Sequence, residues 1–514
     1  MTNAPAILKS LVVYAICVPL AVFVGYMLTD PLQYSTFAYA GVLGLMLTFP
    51  LLLRWHYALL LFSLNASMYL PFMKGRPDVW IVMVMLSLGI SVVERTMSSQ
   101  MHFIRVGQIT WALICMLGVI YMTAKLTGGM GLRALGSEVY GGRKYVWLII
   151  AILSYFAVTA RRIPPEHAGW YVGLFMLGGL TSFIGDLYPI TPSALHFIFW
   201  IFPPTSYAVE EFSLGTTRLG GVAGTAAAFV FWLVARYGLR GIFLSGKTWR
   251  PVLFVVASMM IFLGGFRIKI LSYCFILGML FFIEGMHRTR ALLVVLLAGI
   301  LGAVLVVPLA PHLPFTAQRM LSVLPVEISP EARNSAEDST QWRIDMWKAL
   351  LPQVPRYLLV GKGYAITMED FQNMGRDSAF HTVDMSQQGL ALSGDYHNGP
   401  LSVIIPFGIW GVIVFLWVVI AGMRVLYCNF RHGAASLRTV NTYFWVLYLY
   451  IFLRFLFVYG SFTDDMMFFA STIGFSIALN GGVCRPVTQP VQASQSMAHL
   501  AKRIVPRVRP AFQR

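Results

Sequence analysis

The sequence predicts an all-α, polytopic integral membrane protein, on three observations. Of its 514 residues, 58% are hydrophobic and only 11% are charged, where soluble chains carry roughly a quarter. The mean hydropathy is +0.71, and the apolar residues lie in long unbroken runs. Barrel strands would alternate in short segments, so the spans are helices, each needing roughly 20 apolar residues to cross the hydrocarbon. Third, cations are concentrated in alternate loops, as the positive-inside rule requires.

In chain order, the first run, Leu11 to Leu28, follows Lys9 without a small-x-small cleavage site and reads as a retained span rather than a signal peptide. Further spans are expected near 36–53, 57–73, 78–93, 106–124, 145–160, 168–185, 222–235, 251–265, 268–286, 291–310, 400–423, 441–460 and 466–483, about fourteen in all. With the amino terminus inside, the inner loops hold Arg54, Arg95, Arg105, Arg161, Arg162, Arg236, Arg240, Lys247, Arg250, Arg288, Arg290, Arg424, Arg431 and Arg438. The basic tail (Lys502, Arg503, Arg507, Arg509, Arg514) falls inside as well, which calls for an even number of spans. Three outer segments exceed a tight turn: 125–144, 186–221 and 311–399. The second contains HFIFWIFPP, apolar but interrupted by Pro203 and Pro204, and reads as a re-entrant or interfacial helix. The chain therefore divides into membrane helices over 1–310, a long outer loop with amphipathic helices over 311–399, further membrane helices over 400–483, and a basic inner tail over 484–514.

The net charge of +17 invites a nucleic-acid reading, which we reject because scattered cations facing anionic lipid account for it. Membrane lipids are the expected partners of those loops. The long loop has no cysteine, so the five cysteines give no disulfide framework there. No CxxC or HExxH spacing calls for a metal, and no Gly-rich fingerprint calls for a nucleotide cofactor.

Candidate chemistry gathers in the long loop and at its margins. His397, just before the chain re-enters the membrane, has the side chain suited to proton transfer near neutral pH; its plain reading is an interfacial hydrogen-bonding residue. Asn398 beside it can fix a tautomer or bind a hydroxyl, and Gly399 admits a bulky group. Arg343 lies in an expected helix, Thr340 to Leu351, opened by Asp338-Ser339-Thr340 and closed before Pro352. In that helix Trp342, Met346, Ala349 and Leu350 share a face expected on the membrane interface, with Arg343 and Trp347 on the neighbouring one. The plain reading of Arg343 is a headgroup anchor. Arg267, in GGFRIK, is either a snorkelling residue or a phosphate clamp, since guanidinium binds phosphate bidentately and stays charged. Lys362 is a further cation of the loop. Arg454, within an apolar run, must snorkel, pair with an aspartate or reach substrate. Asp464–Asp465 and Glu210–Glu211 are ordinary solvated acidic pairs unless a metal or phosphate meets them, and Ser393 and Ser461 lack triad context.

The pair His397–Asn398, nine residues, Gly408, two residues and Gly411 resembles the H-N-x9-G-x-x-G pattern of the O-antigen ligase and polymerase superfamily. Arg343, Trp347, Gly361 and Gly363 resemble that family's R-x3-W…G-x-G segment, and GGFR stands where the family carries an earlier arginine. The resemblance implies a GT-C-like, metal-independent, inverting glycosyltransferase of the bacterial inner membrane, active at the periplasmic face. It implies a glycan on undecaprenyl diphosphate as donor, and lipid A-core or another glycan as acceptor. His397 would be the general base, Arg343 and Arg267 the diphosphate ligands, and Asn398, Trp347, Lys362 and Arg454 further substrate contacts. A polymerase joining lipid-linked repeat units shares this chemistry and differs in acceptor. A lipid-glycan flippase would place its charges in mid-span cavities instead, and a non-catalytic scaffold would need none of them.

Overall fold

The computed structural model describes residues 34–73, 75–98, 102–129, 141–204, 218–366 and 394–486, with isolated positions at 18, 19, 21, 22 and 25. Most of the first apolar run, Glu210–Glu211, Ser393 and the tail beyond residue 486 lie outside the described residues. Within them the architecture is all-helical, with one isolated antiparallel bridge, Tyr69–Asp78. The described α-helices of seven residues or more are α1 (Tyr34–Ser63), α2 (Val79–Met97), α3 (Gly107–Thr127), α4 (Gly142–Val158) and α5 (Ala168–Leu177). They continue with α6 (Gly220–Phe243), α7 (Trp249–Ile261), α8 (Arg267–Ile283), α9 (Ala291–Leu309), α10 (Phe315–Leu321) and α11 (Pro330–Leu350). The chain closes with α12 (Gly399–His432), α13 (Arg438–Phe457) and α14 (Phe462–Asn480).

Seven described stretches are long and apolar enough to cross a membrane: Val79–Met97, Gly107–Thr127, Pro165–Asp186, Gly220–Phe243, Ala291–His312, Gly399–His432 and Ala435–Phe457. The two spans expected over 36–53 and 57–73 are not separate helices. α1 runs unbroken through Arg54, because nothing in Arg54-Trp55-His56 stops a helix. His56 is instead fully buried, its Nδ1 2.8 Å from Ser87 Oγ. The stop comes at Ser63, after which Asn65 donates to Phe175 O (2.7 Å) and Thr181 Oγ1 accepts from Ser67 N (2.9 Å). The pair expected over 251–286 is two helices, α7 and α8, divided at Gly265, whose φ of +63° suits glycine. HFIFWIFPP forms part of a 3₁₀ helix, Ser193–Trp200, rather than an α-helix.

The core sits around α14, whose residues are buried along almost its whole length against α4, α12 and α13. At one end of this bundle Asn441 Nδ2 donates to Asn429 O (3.0 Å) and to Asn480 Oδ1 (2.9 Å), and Asn480 Nδ2 returns a bond to Asn441 Oδ1 (2.8 Å). Such bonds satisfy polar groups that apolar surroundings would otherwise penalise. α9 differs: it is apolar all round and has no buried residue, the signature of a helix surrounded by lipid.

α12 positions the site. Asn398 caps it, its Oδ1 accepting from Leu401 N (3.0 Å). The helix breaks at Pro406–Gly408, where Gly408 has φ +62° and ψ −161°. Proline removes one donor and displaces the local bonding, and the segment before it in the chain fills the gap. Lys362 N donates to Ile405 O (2.7 Å), Gly363 N to Pro406 O (3.0 Å), and Ile409 N to Leu358 O (2.7 Å). The G-x-G and G-x-x-G signatures are thus two halves of one joint. A Cβ on Gly361 would lie 2.3 Å from Pro406 O, and one on Gly408 would lie 2.6 Å from Leu358 O.

Candidate functional site

α11 is longer than its sequence suggests. It starts at Pro330, with Ser329 Oγ accepting from Ala332 N (3.3 Å), so Asp338-Ser339-Thr340 is interior and not a cap. Of the face expected on the membrane interface, Met346 and Leu350 turn inward, Trp342 is half-buried and Ala349 is exposed. Met346 and Leu350 are buried with Tyr396, Leu401 and Ile405, and Trp342 and Trp347 pack on that cluster. These side chains press α11 onto the start of α12, because α12 offers an apolar partner there and lipid is not needed to cover them. Trp347 then fastens the loop before the histidine, donating from Nε1 to Tyr396 O at 2.9 Å.

His397 sits in that loop with φ +47°, a left-handed conformation that costs a non-glycine residue roughly 1 kcal/mol or more. The conformation is held by what surrounds the ring. Trp342 meets it edge-on at 5.2 Å and 89°, and Tyr459, in the turn between α13 and α14, lies over it at 4.8 Å and 52°. Burial lowers the imidazole pKa below its ordinary 6.5, Asp395 opposes this by raising it, and the Arg343 charge lowers it further. Burial and the Arg343 charge both favour the neutral ring.

Arg343, one residue after Trp342, has its guanidinium carbon 5.7 Å from the Trp342 ring centre. Its charge also bears on Arg267. Arg267 opens α8 and reaches α11, its Nη2 donating to Ala336 O (2.8 Å) and Thr340 Oγ1 (3.2 Å), about one turn before Arg343. Beside it lies a cavity of about 440 Å³ whose charged lining is Arg267, Arg333, Glu337 and Asp338. Arg343 lies on α11, His397 packs against its Trp342, and Arg267 bonds to its Ala336 and Thr340, although 130 residues separate Arg267 and His397 in sequence.

The other candidates take structural positions. Asn398 uses its side-chain oxygen on the α12 cap, and the backbone of Lys362 is engaged at the α12 break. Arg454 pairs through Nη2 with Asp465, whose other oxygen accepts from Ser461 N at 3.0 Å. This pair pins the turn that carries Tyr459, since Tyr459 N donates to Arg454 O at 2.9 Å. Sequence reasoning missed Tyr459, whose position gives no local signal. It also missed Asp395, which stands in plain view two residues before the histidine in GDYHNG.

Buried polar atoms without partners are few in native proteins. Here Arg343 Nε, Asp395 Oδ1, His397 Nδ1 and Arg454 Nε are all buried and unpartnered. A guanidinium and an imidazole with such atoms free are chemically able to bind an anion and to exchange a proton. Among curated proteins, none matches the chain. Residues 252–416, which hold Arg267, Arg343, His397 and every motif glycine named above, match the family model described as O-Antigen ligase.

Proposed function

We propose that the chain is an inverting glycosyltransferase of the O-antigen ligase type. It moves a glycan from undecaprenyl diphosphate to an acceptor hydroxyl, lipid A-core or another glycan, at the periplasmic face of the bacterial inner membrane. The observation that carries this reading is that His397 and Arg267 both contact α11, the helix of Arg343, with His397 Nδ1 and Arg343 Nε buried and unpartnered. Arg343 and Arg267 bind the diphosphate and offset the charge that grows on it as it departs, a preorganised electrostatic effect. His397 takes the proton of the acceptor hydroxyl. The freed oxygen pair forms the new bond to the anomeric carbon, the bond from that carbon to the phosphate oxygen breaks, and the diphosphate leaves with its electrons. Because a diphosphate is a good leaving group, no strong acid is required. The base contributes about 10²–10⁴-fold.

The test is surface glycan and lipid-linked glycan in cells whose only copy is wild type, His397→Ala, Arg343→Ala or Arg267→Ala, at equal protein level. Loss of transfer with accumulation of lipid-linked glycan is expected from each variant. Normal surface glycan from His397→Ala overturns the assignment. The accumulated species separates the acceptor: long chains left on the carrier mark a ligase, and single repeat units mark a polymerase.

A further inference from the structure

Three charged groups beside the site are left unused by that mechanism: Asp395, Asp464 and Lys144. Their arrangement bears on a difficulty the mechanism creates. When His397 accepts a proton it becomes a cation next to Arg343, whose charge already opposes protonation. With the diphosphate held by Arg343 and Arg267, the imidazolium needs a counter-charge of its own.

We propose that Asp395 supplies it: a positioning residue whose carboxylate, in the same loop as His397 and unpartnered at Oδ1, stabilises the protonated imidazole formed during transfer. The inference rests on the general-base reading of His397. The groups around the ring are few. α11 presents Trp342 and Arg343, and the α13–α14 turn presents Tyr459. Farther along the chain, burial and then the Asp395 charge raise the pKa of Asp464 of α14, and both carboxylates act on Lys144 of α4. Arg454 is committed to Asp465. Of Asp395 and Asp464, Asp395 is the nearer in sequence, two residues from His397, and its field opposes the effects of burial and of Arg343 on the ring. No direct ion pair joins it to His397 among the described residues, so the coupling acts through space and keeps the imidazole available to acceptor.

The test uses the full chain in detergent or nanodiscs with Asp395→Asn, which keeps size and removes charge, and Asp395→Glu, which restores it. His397 is titrated by NMR with labelled histidine, its signal assigned by loss in His397→Ala. Expected for Asp395→Asn is a downward shift of the His397 midpoint of about one pH unit, equivalent to tenfold in proton affinity. The acid limb of the transfer rate should move the same way, and the plateau rate should fall about threefold as the base weakens. Asp395→Glu should recover both. An unmoved His397 midpoint in folded Asp395→Asn overturns the proposal, whether activity falls or not. The titration needs no turnover, so a shifted midpoint together with an active His397→Ala would instead sink the general-base reading and leave the coupling standing.

Discussion

Between Trp342 and Tyr459 the His397 ring has little freedom to turn, and its lowered pKa comes first from burial. The sign of the pH dependence follows. A base must be unprotonated to act, so activity is lost only as pH falls through the lowered pKa. The acid limb of the transfer rate should lie below the ordinary histidine value of 6.5 and be absent between pH 7 and 8. A pH–rate profile of purified protein with lipid-linked donor checks it, and an acid limb at or above 6.5 would show an exposed, unperturbed imidazole. The residue also contributes to stability in the same sense. Its depressed pKa helps the fold above the unfolded value, and that help is lost as acid protonates the buried ring.

Helix α12 is the element on which the site is mounted, and its break is the least forgiving part of it. Gly408 combines φ +62° with a missing Cβ that would stand 2.6 Å from Leu358 O. The left-handed penalty alone is about 1–2 kcal/mol, and the clash is with backbone, which cannot swing aside. Gly408→Ala should therefore lower the unfolding temperature in detergent markedly and reduce transfer through displacement of His397. Gly302→Ala on α9 is the matched control: nothing lies within 4 Å of its Cβ position. That change should be neutral or slightly stabilising, because alanine is the better helix former by about 1 kcal/mol. Equal effects from the two substitutions would show that the α12 break is not a strained joint.

For the molecule as a whole, α12 sets the distance between its two faces. The 24 residues of α12 after its break at Gly408 span about 36 Å at 1.5 Å per residue, with Asn398 capping the other end of the helix and the Asn429–Asn441–Asn480 tie near His432. A single cysteine placed at exposed Asp345 of α11 should react with an impermeant maleimide added outside intact spheroplasts. One at His432 should react only after permeabilisation. Labelling of both from the same side would overturn the transmembrane placement of the bundle. The sequence made much of this legible. Long apolar runs gave helices, and the spacing from His397 to Gly411 and from Arg343 to Gly363 marked the segment that matches the O-antigen ligase family model. Hydropathy counted α1 twice because it registers a dip in apolarity at Arg54-Trp55-His56, and a buried polar cluster produces the same dip as a loop. Helical spacing put Met346 and Leu350 on the membrane interface, because an apolar helical face looks alike whether it meets the membrane or another helix. What composition and spacing determined by themselves was an all-helical membrane chain with a histidine and two arginines worth watching. Only the tertiary structure could decide that Trp342 of α11 and Tyr459 flank the imidazole, that Arg267 reaches α11, and that Asp395 keeps a buried oxygen without a partner in the same loop. Such contacts join residues far apart in the chain, and short-range periodicity carries no information about them.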